Sequence, residues 1–269
     1  MKSVLVTIPV RNEAAMLEAT YRQLVRGLDQ SGLKYRMSIA EDGSTDGTPA
    51  VIQRLKAEFP NLLVTTGPAR LGRGLALRQM WSEVDADVYA FVDADLAAGP
   101  PALISVISEV QNGADVATGS RYCLGAQVRR PPLRQLVSQA YNLFVRLTFG
   151  ENIRDHQCGL KAFTRQAKER LFEMSREDSW AWDTEVMVLA KRSGMRVVEV
   201  PVEWSETRWT RTPIRRLLSD VYLHGTSILR LKSGLEETMR LHRISTPTQK
   251  STGTVDLVSP KDKGSGFVR

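Results

Sequence analysis

The stretch FVDADLAAGP, residues 91–100, ends an apolar run with two aspartates that stand one residue apart. The preceding residues, 85–92, are rich in Val, Tyr and Phe, which favours a buried strand. Side chains alternate along an extended chain, so Asp93 and Asp95 point to the same side. Two such carboxylates repel each other, and an Mg²⁺ or Mn²⁺ ion bound between them would remove that repulsion. A solvated strand end is the simpler alternative.

The chain on either side of this strand alternates between strand and helix patterns. Helices are predicted between the apolar runs, with Asn12 as the N-cap of the first, Pro49 in the second and Gly113 closing the fourth. This β-α-β-α order predicts an α/β fold with a mostly parallel sheet and helices on both faces. The other strands of the first half are predicted at 3–10, 35–42, 61–67 and 115–122.

The pattern is less regular after residue 125. Helices are predicted at 134–150 and 184–194, and strands at 159–164 and 195–204. A last amphipathic segment carries an apolar stripe of Ile214, Leu217, Leu218, Val221, Ile228, Leu231 and Leu235. The predicted organisation is a domain over 1–212 with halves 1–97 and 98–212, the helical segment 213–243 and a disordered tail at 244–269.

The charge and the cysteine content narrow the possible partners and compartment. The chain has 269 residues, a net charge of +7 and a pI of about 9.6, which favours an anionic partner: a nucleotide, a nucleic acid or a membrane surface. Cys123 and Cys158 are too few for a disulfide framework or a cysteine zinc site, so a reducing compartment is expected. No run approaches about 18 uncharged apolar residues, so we expect a chain that does not cross a bilayer but can lie on one.

Four polar motifs follow the first four predicted strands: PVRNE, EDGSTDGT, GPARLGRG and DAD. Ligands of open parallel sheets bind beyond the carboxyl ends of the strands, which is where these motifs fall. Taken singly, EDGSTDGT is typical of a turn with a helix cap. An EF-hand is excluded because Gln53 stands where its glutamate belongs, and a P-loop is excluded because Arg73 and Gly74 replace its Lys and Ser/Thr. A dinucleotide fingerprint is excluded because Leu77 replaces its third glycine.

The motifs VTIPVRNEA, EDGSTDGT, GRGLALR and FVDADL closely resemble, in order and spacing, the nucleotide-sugar half of inverting glycosyltransferase family two. GSRY, DHQCGLKAF, WAWDTEVMVLA and VPVEW extend the resemblance to dolichyl-phosphate mannose synthases and dolichyl-phosphate glucosyltransferases. The resemblance covers roughly residues 3 to 220. It implies a GT-A fold, a donor such as GDP-mannose or UDP-glucose, a polyprenyl or dolichyl phosphate acceptor, and Mg²⁺ or Mn²⁺.

The resemblance also implies roles for individual residues. Asp93 and Asp95 would hold the metal on the diphosphate, and Ala97 stands where many relatives have a Gln that helps at the metal. The implied nucleotide-sugar site consists of Pro9, Arg11, Glu13, Asp42, Arg73, Asp93, Ala94 and Asp95. The implied acceptor-phosphate site consists of Arg121, Arg134, Ser138, Arg208 and Arg211, and the implied catalytic residues are Asp95, Arg121, Asp155 and Asp183.

Several of these residues have a simpler interpretation. Arg134 and Ser138 are equally consistent with a polar helix face. Trp182 and Glu185 match an acceptor-side motif, but Trp182 is also consistent with a core residue. A phosphate acceptor is already anionic at pH 7 and needs no strong base, whereas a hydroxyl acceptor needs one, for which Asp155 and Asp183 are the candidates.

Residues 208–216, RWTRTPIRR, hold four arginines and Trp209. They favour a site for the lipid phosphate and anionic headgroups, or else a solvated loop before the last helix. The expected location is the cytoplasmic, inner face of a membrane, reached directly or through a membrane-protein partner. Alternatives are a transferase to a small anion or a polysaccharide, a nucleotidyltransferase, and a non-enzymatic basic module for membrane or nucleic acid. The last explains the charge but not the converging motifs, so no nucleic-acid partner is expected.

Overall fold

A computed structural model describes residues 2–178, 181–206, 226–235 and 237. Its strands and helices are, in chain order, β1 Val4–Val10, α1 Leu17–Ser31, β2 Tyr35–Glu41, α2 Thr48–Glu58, β3 Leu63–Thr66, α3 Arg73–Glu83, β4 Val88–Val92, α4 Gly99–Gln111, β5 Val116–Ser120, β6 Gln127–Arg129, α5 Pro132–Phe149, β7 Leu160–Thr164, α6 Arg165–Met174, α7 Trp182–Arg192, β8 Val197–Pro201 and β9 Glu203–Ser205. Residues 226–235 are helical.

Seven strands form one sheet in the order β3-β2-β1-β4-β7-β5-β8. The pairing is parallel except at β7, which runs antiparallel to both β4 and β5. Because β7 runs antiparallel to β4, the residues that precede β7 lie beside the residues that follow β4, at the same ends of the strands. Strands β6 and β9 pair in parallel as a separate ribbon. The predicted mostly parallel sheet is confirmed.

The alternation of β1 places apolar side chains on both faces of the sheet. Val4, Val6 and Ile8 join the core beneath α1, α2 and α4, while Leu5 joins the core beneath α3, α6 and α7. Every residue of β4 is buried, which agrees with a strand covered on both faces.

The helix at 226–235 contributes to the second core through Ile228, Leu231 and Leu235. These three residues therefore pack on the domain, as one interpretation of the apolar stripe expects. The remaining residues of that stripe, the tail at 244–269 and the cluster 208–216 lie outside the described residues. Among the residues that are described, no helix combines the length and the apolar character needed to span a membrane.

Three local predictions need correction. Asn12 is not an N-cap: α1 begins at Leu17, and Asn12 has a left-handed φ of 57° and accepts a hydrogen bond from Thr45 N at 2.8 Å. The single strand predicted at 195–204 is two, β8 and β9, separated at Val202. Helix α6 was not predicted, although Ala167, Leu171 and Met174 are buried at helical spacing.

Candidate active site

The carboxyl ends of β1, β2 and β4 and the start of α3 enclose a cleft of about 500 Å³. All eight residues of the predicted nucleotide-sugar site line it: Pro9, Arg11, Glu13, Asp42, Arg73, Asp93, Ala94 and Asp95. The four sequence motifs thus meet at one place, as the strand-end argument predicts. A larger open depression lies between α1 and α4, around Gly27 and Pro100, and contains none of the predicted residues.

Asp42 shapes the cleft through the loop before α3. Its buried carboxylate accepts hydrogen bonds from the backbone N–H groups of Leu71 and Gly72, the latter at 2.9 Å. The neighbouring Gly43 has a φ of 63° and lies so close to the backbone of Ala69 that a Cβ would come within 2.4 Å of it. This loop therefore packs directly on the end of β2, and Asp42 holds the two segments together.

A chain of four alternating charges runs from the core into the cleft. The Arg73 guanidinium bridges Asp93 Oδ1 at 2.9 Å and Asp183 Oδ2 at 2.6 Å. The other oxygen of Asp183 accepts a hydrogen bond from the fully buried Lys161 Nζ at 3.0 Å, and Nζ also donates to Cys158 O at 2.7 Å. Lys161 was not predicted to belong to the site. A lone lysine in the otherwise apolar strand pattern GLKAFT was the available signal.

The pKa of Asp93 is raised to about 6: burial raises it most, Arg73 opposes this rise, and the nearby carboxylates of Asp183 and Asp95 add to it. Its side chain is 27% exposed on the cleft, so we expect water to moderate this shift. The pair Asp93 and Asp95 fits a divalent cation that completes its coordination with water and substrate phosphates, since Mg²⁺ needs only one or two protein carboxylates. No group of three or more His, Cys, Asp or Glu ligands occurs within the described residues.

Gly159 determines where the Asp93 carboxylate lies. A Cβ on Gly159 would stand 1.9 Å from Asp93 Oδ2, and Gly159 O accepts a hydrogen bond from Asp93 N at 2.8 Å. This close approach is possible because β7 is antiparallel, which brings the residue before β7 to the end of β4.

Gly159→Ala should therefore displace the Asp93 carboxylate. We expect Mn²⁺ affinity measured with nucleotide present to fall about 10-fold or more, because a ligand moved by 1 Å loses the productive geometry. The matched control is Gly234→Ala, whose added Cβ meets no atom within 4 Å and whose backbone is helical. Unaltered Mn²⁺ binding by Gly159→Ala would mean that Asp93 is not a metal ligand.

A second ion pair lies beyond the carboxyl end of β5. Arg121, directly after β5, donates two side-chain hydrogen bonds to Asp155, from Nε at 2.7 Å and from Nη2 at 2.8 Å. Its guanidinium lies over the Trp204 ring at 5.0 Å from the centroid. Burial alone would raise the pKa of Asp155, but Arg121 dominates and holds that pKa below its ordinary value.

Both oxygens of Asp155 and both oxygens of Asp183 are engaged in these ion pairs. In this arrangement each aspartate positions a cation: Asp155 holds Arg121, and Asp183 holds Arg73 and Lys161.

Comparison with known proteins agrees with this geometry. The family model described as glycosyl transferase family 2 matches residues 5–172. The chain belongs to glycosyltransferase family 2. The family 2 assignment is consistent with the GT-A fold and confirms the family predicted from the motifs.

Two relatives of this family 2 chain are matched over very different shares of their own length. The glycosyltransferase AglD of Haloferax volcanii is 38% identical over 230 residues, which is 84% of this chain but only 36% of AglD. The polyprenol monophosphomannose synthase of Mycolicibacterium smegmatis is 31% identical over 209 residues, or 75% of this chain and 77% of that protein. The chain thus spans about a third of AglD.

A similar solved structure is glucosyl-3-phosphoglycerate synthase from Mycobacterium tuberculosis, crystallised with Mn²⁺, uridine diphosphate and phosphoglyceric acid. Its TM-score is 0.62 at 18% identity, over 92% of this chain and 80% of that one. At this identity the likeness supports the family 2 fold and not the substrate.

Two of the predicted acceptor-phosphate residues of the family 2 chain, Arg134 and Ser138, lie on α5. Arg134 and Ser138 are one turn apart, share a face of the helix with the buried Val145, and are both half-buried. Arg134 Nη1 forms an ion pair with Glu206 Oε1. Arg208 and Arg211 lie outside the described residues.

Two further motif residues have structural roles. Trp182 is fully buried among Phe91, Phe163 and Phe172, so its interpretation as a core residue is supported. Glu185 accepts hydrogen bonds from the Ser175 hydroxyl at 2.5 Å and from two backbone N–H groups, and it orders the segment after α6.

Proposed function

We propose that this chain transfers a hexose, mannose or glucose, from a nucleotide diphosphate sugar to a polyprenyl or dolichyl phosphate. The transfer inverts the anomeric carbon, requires Mg²⁺ or Mn²⁺, and takes place at a membrane surface. The proposal is carried by three features of one domain. They are the cleft with its aspartate pair, the buried Arg121, and the exposed apolar face of α5.

The donor assignment rests on the polar groups of the cleft. Arg11 Nε is buried and has no hydrogen-bond partner among the described residues, as expected of a group that binds a ligand. Arg73 and the aspartate pair lie where a diphosphate would need charge compensation. A cation on Asp93 and Asp95 would supply Lewis-acid stabilisation of the leaving diphosphate.

The lipid character of the acceptor is supported by α5. Its outer face carries large apolar side chains at helical spacing, and two of them, Leu136 and Leu147, are 63% and 74% exposed. The complete stripe is Leu133, Leu136, Leu143, Phe144 and Leu147. Exposed contiguous apolar surface of this kind is typical of membrane or lipid contact sites. Arg134 lies in the first turn of α5, on the face next to this stripe, where an acceptor phosphate would join its hydrocarbon chain.

The chemistry of the acceptor agrees with the positions of the aspartates. A phosphate monoester is already a nucleophile at pH 7, so no carboxylate has to accept a proton. Asp155 and Asp183 can then remain paired throughout the reaction. Arg121 and Arg134 would attract the incoming phosphate, and Arg73 would stabilise the charge that develops on the leaving diphosphate.

The decisive experiment supplies the purified chain with GDP-mannose or UDP-glucose, Mg²⁺ and phytanyl phosphate. We expect radiolabelled hexose in the chloroform phase with one of the two donors. Phytanol and 3-phosphoglycerate serve as alternative acceptors. Product that forms only with 3-phosphoglycerate would replace the lipid acceptor with a small anion.

Asp42→Ala should weaken nucleotide binding about 10-fold or more, because the loop at Leu71 and Gly72 loses a charge-assisted anchor beside the nucleotide. The measurement is a calorimetric titration with GDP or UDP. Asp29→Ala is the matched control, since that exposed carboxylate lies near the end of α1 and accepts a hydrogen bond from the Tyr35 hydroxyl, which does not line the cleft. Equal affinities for Asp42→Ala and the wild type would remove Asp42 from the nucleotide site.

A further inference from the structure

Glu206, the residue after β9, joins two arginines. Its Oε2 lies 3.2 Å from Arg130 Nε, and its Oε1 contacts Arg134 Nη1. The side chain of Arg130 is 10% exposed, and its Nη1 is buried without a hydrogen-bond partner among the described residues. A buried guanidinium with an unused donor is costly unless a ligand satisfies it.

The two arginines and the carboxylate lie beside the donor cleft. Ser205 N donates a hydrogen bond to Ala97 O at 2.9 Å, which ties β9 to the loop that follows Asp95. Glu206 N donates to Arg129 O at 3.0 Å, which ties the same segment to β6. The segment that carries Glu206 and its two arginines is therefore tied to the loop that follows Asp95.

We propose that Arg130 and Arg134 form a binding site for the phosphate monoester of the acceptor, and that Glu206 occupies this site until the acceptor displaces it. This inference rests on the proposed function. Glu206 presents two carboxylate oxygens to the arginines, in the manner in which a phosphate presents its oxygens. A phosphate has a further oxygen, and the unused Arg130 Nη1 is the donor that can bind it.

The arrangement makes Glu206 an internal competitor of the ligand. Only molecules in which Glu206 has released the arginines can bind a phosphate ester. The apparent affinity is therefore the intrinsic affinity multiplied by the fraction of such molecules. The competition also provides selectivity: a neutral alcohol cannot displace a carboxylate from two guanidinium groups, whereas a doubly charged phosphate can.

The test compares Glu206→Gln with Glu203→Gln. Glu203 is an exposed residue of the same β9 strand, so its replacement removes the same charge from the same ribbon. Binding of phytanyl phosphate in neutral detergent micelles is measured by calorimetry, without donor or metal. We expect about 10-fold tighter binding for Glu206→Gln and no more than about two-fold for Glu203→Gln. Arg130→Met should weaken binding about 10-fold and abolish the gain from Glu206→Gln when the two are combined.

Inorganic phosphate and phytanol are titrated in parallel. An equal gain for inorganic phosphate and phytanyl phosphate would overturn a site for a lipid phosphate ester in favour of a free-phosphate site. Weaker or unchanged phytanyl phosphate binding by Glu206→Gln, or an equal gain in Glu203→Gln, would overturn the competition itself. Because the measurement is binding, it stands apart from hexose transfer: failed transfer with the expected binding pattern would refute the proposed reaction and leave the phosphate site intact.

Discussion

Asp95→Asn should lower the rate of hexose transfer by about 10²–10³-fold, the effect of removing a major electrostatic contribution to a transition state. The midpoint of thermal unfolding should change little, because Asp95 lies on the open cleft rather than in the core. The measurements are initial rates at saturating donor, Mn²⁺ binding by electron paramagnetic resonance, and a melting curve.

Asp85→Asn is the matched control for this variant. Asp85 lies just before the same strand, β4, but at the opposite end, and its side chain is 78% exposed. An exposed ion pair of this kind contributes little, so transfer should remain near wild type. Chelation with EDTA should stop the wild-type enzyme, and added Mg²⁺ or Mn²⁺ should restore it. Full activity after metal removal would refute the role of both aspartates in metal binding.

Asp155→Asn should destabilise the fold by about 3–5 kcal/mol, because it leaves the Arg121 charge buried without its partner. The measurement is urea unfolding followed by circular dichroism. The double variant Arg121→Met, Asp155→Leu should recover most of that stability, since no buried charge remains. It should still fail to transfer hexose if Arg121 binds the acceptor phosphate. Recovery of both properties would make the ion pair purely structural.

The acid dependence of unfolding provides an independent check on the same pair. The pKa of Asp155 is held below its ordinary value of about 3.9, so its contribution to stability is complete above that pH. That contribution is lost as the pH falls through the folded-state pKa. Asp155→Asn should therefore show a shallower loss of stability in acid. Glu58→Gln, which breaks an exposed pair with Arg22, should leave the acid dependence of unfolding close to that of the wild type.

The sequence predicted the first half of the fold well because each of its strands ends in a recognisable turn or polar motif. The direction of β7 could not be read in the same way, since nothing within Leu160–Thr164 distinguishes a parallel from an antiparallel neighbour. Asn12 was misjudged for a related reason: its side chain bonds Thr45, more than thirty residues away, and not the helix that follows it. Helix α6 is largely polar, and its weak apolar period was overlooked.

The cleft that the predicted nucleotide-sugar residues line was predictable because these residues come from strand ends, whose positions the fold class sets. The ion pairs were not predictable, because the partners are far apart in sequence: 34 residues separate Arg121 from Asp155, and 110 separate Arg73 from Asp183. Motif matching singled out these aspartates but gave them no partners. Glu206 and Arg130 matched no motif, and Lys161 lies within DHQCGLKAF without an implied role. Only their contacts connect these three residues with the site.

The reversed strand β7 also has a consequence for synthesis of the chain. It supplies the hydrogen-bonding partner of β4, yet it follows β4 by about 70 residues. At roughly 5–20 residues per second, a ribosome exposes the VYAFV edge of β4 for several seconds before β7 emerges. During that interval the unpaired edge can associate with edges of other nascent chains. The contact between Gly159 and Asp93 is thus formed late, and the Asp93 carboxylate takes its final position only after β7 has paired with β4.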